Sequence, residues 1–151
     1  MVNQRQTTQE SDRSYLAADA VEVSYYTDPL CCWSWAMAPA WDRLTVQLAK
    51  HLKVCHKMGG LLPSWKHFED VAHSINRPSQ MGPEWMCAAE LSGATINSQV
   101  WITDPPASSY PACIAVKYVQ LQSEDFAEAF LHLLRKAVMV DGKNISKTGV
   151  L

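Results

Sequence analysis

The chain of 151 residues has no long hydrophobic run and no excess of charge of either sign. Although 48% of its residues are hydrophobic, charged residues interrupt every apolar stretch before it reaches the about 20 residues that a membrane-spanning helix requires. Thirteen lysines and arginines stand against 15 aspartates and glutamates, so no positive field is available to hold a nucleic acid or an anionic membrane. We therefore expect a soluble protein with neither nucleic-acid nor membrane partners.

The first 20 residues lack the apolar block of a secretory signal. They are rich in Gln, Thr, Ser, Asp and Arg, and we interpret residues 1–20 as a disordered polar leader. The five cysteines lack the paired spacing of a secreted disulfide framework or a zinc site, and the five histidines complete no metal-ligand pattern with them. This pattern favours a cytoplasmic protein with no metal site and no tightly bound cofactor.

A strand, a helix and a second strand are predicted over residues 21–60. The β-branched and aromatic run from Val21 to Tyr26 ends at Thr27-Asp28-Pro29, as a strand does on entering a turn. Alternation from Leu52 onward, closed by Gly59-Gly60, predicts the second strand, parallel to the first. Between them, four apolar residues recur at helical spacing and are expected to form a buried stripe: Met37, Trp41, Leu44 and Leu48.

Helices dominate the prediction for residues 61–151. Ser64 is expected to cap a helix through Ile75, and Pro83 to open a short one. A further helix is expected to begin at Ser108 or Ser109 and to continue to Gln122. The last is predicted from Ser123 to Asp141-Gly142, with one apolar stripe of five residues: Phe126, Phe130, Leu133, Ala137 and Val140. The fold class is therefore α/β, a βαβ unit followed by a helical segment.

The candidate active-site segment follows the first strand: Thr27-Asp28-Pro29-Leu30-Cys31-Cys32-Trp33-Ser34-Trp35. A thiol in the first turn of a helix faces unpaired backbone N–H groups and the positive end of the helix dipole, which stabilise the reactive thiolate. This context favours Cys31 as a reactive thiol over the alternative of a small buried hydrophobe. We expect Cys31 to react faster than three cysteines that we place on inward-packing faces: Cys55, Cys87 and Cys113.

The chain resembles the DsbA family of thioredoxin-like proteins, especially its FrnE-like and disulfide-isomerase members. The resemblance lies in the order of its parts: a strand, the motif Asp28-Pro29-Leu30-Cys31-x-Trp33-x-Trp35, a helix, a second strand, Gly59-Gly60 and further helices. The stretches 108–117 and 142–146 resemble that group's helical insertion. The resemblance implies a thioredoxin-like βαβ unit over residues 21–60 and an incomplete insertion over residues 61–151. Because the chain ends at Leu151, we expect the family's second half, with its cis-proline loop and further strands, to be missing.

The resemblance implies an active-site Cys-x-x-Cys, from which this chain departs. With Cys31 as the nucleophile, Ser34 stands in the place of the resolving cysteine. Cys32 is a poor substitute, because adjacent α-carbons lie about 3.8 Å apart, closer than a relaxed disulfide accepts. The catalytic candidates are Cys31, Cys32 and Ser34. The candidates for substrate contact are Trp33, Trp35 and Pro29, although aromatic residues at this spacing are more often core.

A monothiol at Cys31 predicts isomerisation or deglutathionylation rather than net oxidation, because another thiol must release the mixed disulfide. Protein thiols or disulfides are the expected partners, and glutathione is a candidate co-substrate. Two alternatives stay open: a non-catalytic adaptor on the same fold, since relatives of this group include a protease adaptor, and a glutathione transferase of the kappa or chromene-isomerase type. The strand Val21–Tyr26 also predicts self-association through an open sheet edge.

Overall fold

The structure is a computed structural model that describes residues 17–151. The predicted leader therefore lies almost entirely outside the described residues. The elements are β1 (Val21–Thr27), α1 (Cys32–Gln47), β2 (Leu52–Met58), α2 (Met81–Ser92), α3 (Val100–Thr103), α4 (Tyr110–Gln120) and α5 (Glu124–Met139), with a 3₁₀ turn at Pro78–Gln80 before α2. Among the residues described, every helix is too short or too polar to cross a bilayer.

The predicted βαβ unit is confirmed. β1 and β2 pair in parallel from Val21 opposite Leu52 to Thr27 opposite Met58. Within the described ranges they form a two-stranded sheet. The Tyr25 ring of β1 stacks on Trp41 of α1 with ring centroids 4.4 Å apart, so α1 packs on one face of the sheet.

The apolar stripe predicted for α1 is not buried as a whole. Met37, Leu44 and Leu48 are each more than a third exposed. The buried residues of this helix are instead Cys32 and Ser34, in its first turn. The spacing correctly predicted a helix, but it could not show that the fully buried residues of this helix lie in its first turn. The stripe prediction is therefore wrong for three of its four residues.

The hydrophobic core lies mainly in the helical segment. Trp85 of α2 and Trp101 of α3 are fully buried, and their ring centroids lie 5.1 Å apart in an edge-to-face arrangement. Around them pack apolar residues from four helices and the connecting loops: Leu62, Ala88, Val100, Ala112, Val116, Leu131, Leu134, Val138, Met139 and Ile145. This core supports the site end of the βαβ unit, because Leu30 and Cys32 belong to it as well.

The helix predicted from Ser64 to Ile75 is wrong. This segment forms turns closed by an antiparallel bridge between Asp70 and Ile75, and Ser74 adopts a left-handed backbone at φ 57°. The Asp70 carboxylate accepts the backbone N–H of His73 at 3.2 Å and contacts its ring at 2.7 Å. Such local side-chain bonds offer the backbone an alternative to helix.

The last two helices lie where they were predicted, but α5 buries a different face. Ser123 caps α5 by accepting the N–H of Phe126 at 3.4 Å, and the chain turns at Gly142 with φ 65°. Phe126 and Leu133 of the predicted stripe are more than half exposed. The buried face consists of Ala127, Leu131, Leu134, Arg135, Val138 and Met139. Because this buried face contains an arginine, apolar periodicity did not predict it.

Candidate functional site

Cys31 caps the amino end of α1. Its backbone is extended, with φ −78° and ψ 106°, and its Sγ accepts the N–H of Ser34 at 3.4 Å. Its carbonyl accepts the N–H of Trp35 at 3.2 Å, which opens the helix. A half-buried sulfur in this position receives both a hydrogen bond and the positive end of the helix dipole.

The loop before Cys31 is held by the buried carboxylate of Asp28. Its Oδ1 accepts the N–H of Leu30 at 2.8 Å, and its Oδ2 accepts the N–H of Leu61 at 2.7 Å. One side chain thus ties the end of β1 to the turn after β2. The Cys113 thiol of α4 donates to the same Oδ2 at 3.4 Å. Burial and the nearby Asp28 charge raise the pKa of Cys113 to about 12, so this thiol stays protonated and serves as a donor.

Cys32 is buried in the hydrophobic core. Its side chain is 4% exposed, and burial, followed by the proximity of Cys31, raises the pKa of Cys32 to about 12. A thiol with so high a pKa is protonated at neutral pH and is a poor nucleophile. The structure therefore places Cys32 in the hydrophobic core, and its predicted catalytic role stays a prediction.

Of the three residues predicted to contact substrate, Trp33 is the exposed one. Trp33 is 43% exposed, and its Nε1 donates to Glu84 Oε1 at 2.6 Å. Trp35 packs against the core, and its Nε1 donates to the Thr95 carbonyl at 3.1 Å. Pro29 is fully buried, which removes it from the candidates for substrate contact.

Sequence reasoning missed a buried arginine behind the thiol. Arg135 of α5 is 6% exposed, and its Nη2 donates to the Thr27 hydroxyl and, at 3.5 Å, to the Asp28 carbonyl. Burial lowers the pKa of Arg135, and Tyr25 and Cys31 counteract that effect. The one feature of the sequence that could have identified Arg135 is its spacing of four residues from Leu131 and three from Val138. This spacing places Arg135 on the buried face of α5.

The remaining cysteines differ in their surroundings. Cys113 packs inward, as predicted, whereas the inward prediction for Cys87 is wrong, because this residue lies exposed on α2. Cys55 on β2 is half-buried. No group of three or more His, Cys, Asp or Glu side chains in the described part of the chain is arranged to hold a metal ion.

A cavity of about 590 Å³ lies beside the loop that Asp28 holds. It is bounded by the end of β2 and by one face of α4, with these residues: Met58, Gly59, Gly60, Tyr110, Cys113, Ile114, Lys117, Tyr118 and Leu121. Gly60 has φ 62°, and a Cβ at this position would meet the Tyr110 ring at 2.7 Å. Glycine is therefore required for the close approach of this turn to α4.

Residues 25–151 match the family model described as Thioredoxin. The chain belongs to the thioredoxin family. Its fold is similar to that of a proposed protein disulfide isomerase from Nitrosomonas europaea, with a TM-score of 0.70 and 18% identity over 87% of this chain and 61% of that one. The cytosolic disulfide reductase DsbM from Pseudomonas aeruginosa with GSH gives a TM-score of 0.64 and 20% identity over 86% and 61%. The thioredoxin-like fold implied by the resemblance is confirmed.

The chain is also similar to ClpXP adapter proteins named SpxH. The protein from Halalkalibacterium halodurans is 26% identical over 131 residues, which are 87% of this chain and 43% of that protein. The protein from Shouchella clausii is 25% identical over 142 residues, which are 94% and 45%. The chain thus spans less than half the length of these relatives and about 61% of the solved chains.

Proposed function

We propose that this chain performs thiol–disulfide exchange as a monothiol, with Cys31 as the nucleophile. The observation that carries the proposal is the first turn of α1, where the Cys31 sulfur accepts the N–H of Ser34 while Cys32 is buried in the core. Membership of the thioredoxin family and the fold shared with a disulfide reductase support it. The cysteine pattern and that cytosolic reductase also support a DsbA-type, FrnE-like protein of the cytoplasm.

The proposed exchange has two steps. The Cys31 thiolate attacks one sulfur of a substrate disulfide, an S–S bond forms to Cys31, and the other substrate sulfur leaves as a thiolate. Because position 34 is a serine, a second molecule must resolve the mixed disulfide. A glutathione thiolate attacks the substrate sulfur of the mixed disulfide, a new S–S bond joins glutathione to the substrate half that was bound to Cys31, and the Cys31 thiolate is regenerated as the leaving group. The structure of DsbM with GSH, which has the same fold, supports glutathione as this co-substrate.

The substrate proposed for this site is a polypeptide disulfide or glutathionylated thiol with apolar residues beside it. The exposed Trp33 ring is held in place by its hydrogen bond to Glu84 and lies two residues from Cys31. An anchored indole offers a large apolar contact area at little loss of side-chain entropy. Polypeptide disulfides and glutathionylated thiols are therefore preferred over small hydrophilic disulfides.

The test is to incubate the protein with a glutathionylated peptide and to identify mixed disulfides by mass spectrometry. The wild type and Cys87→Ser, an exposed cysteine control, are expected to form an adduct at Cys31 and to release peptide thiol. Cys31→Ser is expected to lose peptide release at least tenfold. Unchanged release by Cys31→Ser would overturn the proposal.

An adaptor is a second candidate function. The observation that favours it is the similarity to SpxH proteins across 87% to 94% of this chain. An adaptor holds its partner by surface contacts, so Cys31→Ser in the presence of dithiothreitol is expected to retain partner capture. Loss of capture under those conditions would favour thiol exchange. The glutathione transferase alternative stays a prediction, and glutathione binding by Cys31→Ser would favour it.

A further inference from the structure

A buried path of hydrogen bonds connects α5 to the first turn of α1. Arg135 Nη2 donates to Thr27 Oγ1, and Thr27 Oγ1 donates to Ser34 Oγ at 2.9 Å. The backbone N–H of the same Ser34 donates to Cys31 Sγ at 3.4 Å. Arg135, Thr27 and Ser34 are all buried. The side-chain path therefore ends at Ser34, whose backbone N–H contacts the atom that we propose to react.

Arg135 gives this path a fixed direction. A guanidinium only donates hydrogen bonds, so the Thr27 hydroxyl accepts from Arg135 and directs its own proton to Ser34. Ser34 Oγ is then the acceptor of the Thr27 hydroxyl, which fixes the Ser34 side chain in the first turn of α1. Replacing Arg135 by a group without a donor would release the Thr27 hydroxyl to rotate.

Arg135 also brings a buried positive charge close to the Cys31 thiol, and burying it lowers the stability of the fold. Its Nε is buried without a hydrogen-bond partner among the described residues, which is unfavourable for folding. The titratable groups that face Arg135 or Cys31 come from the sheet, the loop and the first turn of α1: Tyr25, His56, Asp28 and Cys32. Of these, Asp28 is engaged with two backbone N–H groups and the Cys113 thiol.

We propose that Arg135 is a positioning residue for Cys31, which orders the hydroxyl path through Thr27 and whose charge favours the thiolate. The proposal rests on the proposed function, since it names what tunes that nucleophile. A neutral side chain at position 135 leaves Cys31 with the helix terminus alone. The thiolate then forms only at higher pH.

The test is the rate of Cys31 alkylation by iodoacetamide as a function of pH, followed by peptide mapping in a Cys55→Ser, Cys87→Ser background. Arg135→Met is expected to raise the pH of half-maximal rate by about one unit, which is about a tenfold loss of rate at pH below that midpoint. Arg135→Lys, which keeps the charge, is expected to restore most of the shift. Thr27→Val, which keeps the arginine but breaks the path, is expected to give a smaller rise.

Folding of each variant is checked by circular dichroism and thermal melting. A folded Arg135→Met protein with the wild-type pH profile would overturn the proposal. If Arg135→Met does not fold, Thr27→Val decides, and an unchanged profile in that variant would overturn it too. Alkylation needs no disulfide exchange. If Arg135→Met shifts the alkylation profile but the wild type releases no peptide thiol, only the proposed function is contradicted. If the wild type releases peptide thiol but Arg135→Met leaves the alkylation profile unchanged, only the role of Arg135 is contradicted.

Discussion

The βαβ unit and the helical segment are packed in different ways. In the helical segment, Trp85, Trp101 and Val138 are among several fully buried large side chains. In β1, α1 and β2, the buried residues are Thr27, Cys32, Ser34 and His56, and the first three surround Cys31 in sequence. The βαβ unit is thus tightly packed at its site end and open elsewhere. This difference teaches that the helical segment, rather than the sheet, supports the thiol loop.

The largest expected effect is in the core of the helical segment. Trp85→Ala should lower the free energy of unfolding by about 3–5 kcal/mol, because it leaves a cavity where a fully buried ring packs on Trp101. Val46→Ala on α1, where Val46 is 76% exposed, should change it by less than about 0.5 kcal/mol. Urea unfolding of the two variants measures the difference. Equal losses would show that the two regions are packed alike.

The next effect is at the connection between the two regions. Asp28→Asn should lower the free energy of unfolding by about 2–3 kcal/mol, because a neutral amide weakens the bonds from Leu30 and Leu61 and places an NH₂ group against N–H donors. The matched control is Asp42→Asn on the exposed side of α1, which should be nearly neutral. A stability of Asp28→Asn within error of the control would contradict the assigned role of this carboxylate.

A pH dependence should arise at the buried histidine of β2. Burial lowers the pKa of His56 below its usual 6.5, although Glu124 counteracts this shift. Below about pH 6.5, His56 is therefore protonated in the unfolded chain but stays neutral in the folded chain. The free energy of unfolding consequently falls as pH falls, by up to about 1.4 kcal/mol per pH unit. His56→Gln should flatten this slope between pH 6.5 and 5.5, whereas the exposed His51→Gln should keep it. A slope that persists in His56→Gln would assign it to other groups.

The smallest expected effect concerns the uncovered edge of the sheet. Among the described residues β1 pairs with β2 alone, and Val21 and Tyr26 are 59% and 75% exposed. Self-association through this edge is expected, and Tyr26→Lys should reduce it, because edge lysines oppose strand pairing. Sedimentation velocity over a concentration series measures this effect, with Leu133→Lys on α5 as the control. Equal reduction by the control would place the contact elsewhere.

The sequence predicted the elements better than it predicted their surroundings. The run from Val21 to Tyr26, the alternation from Leu52 and the helix start at Ser123 are local signals, and the structure has both strands and α5 where these signals place them. The buried faces of α1 and α5 depend on which elements lie beside them, which spacing does not encode. Arg135 belongs to the site only because the fold brings α5 behind a loop 107 residues away in sequence.

The nucleophilic role of Cys31 is tested most directly by competition among the cysteines of the folded wild type. A substoichiometric pulse of a maleimide at neutral pH, followed by quench and peptide mapping, ranks their reactivity. We expect Cys31 to be labelled before Cys87, even though Cys87 is the more exposed of the two, because the helix terminus, the N–H of Ser34 and Arg135 favour the Cys31 thiolate. Labelling of Cys87 first, with Cys31 unmodified, would contradict the account.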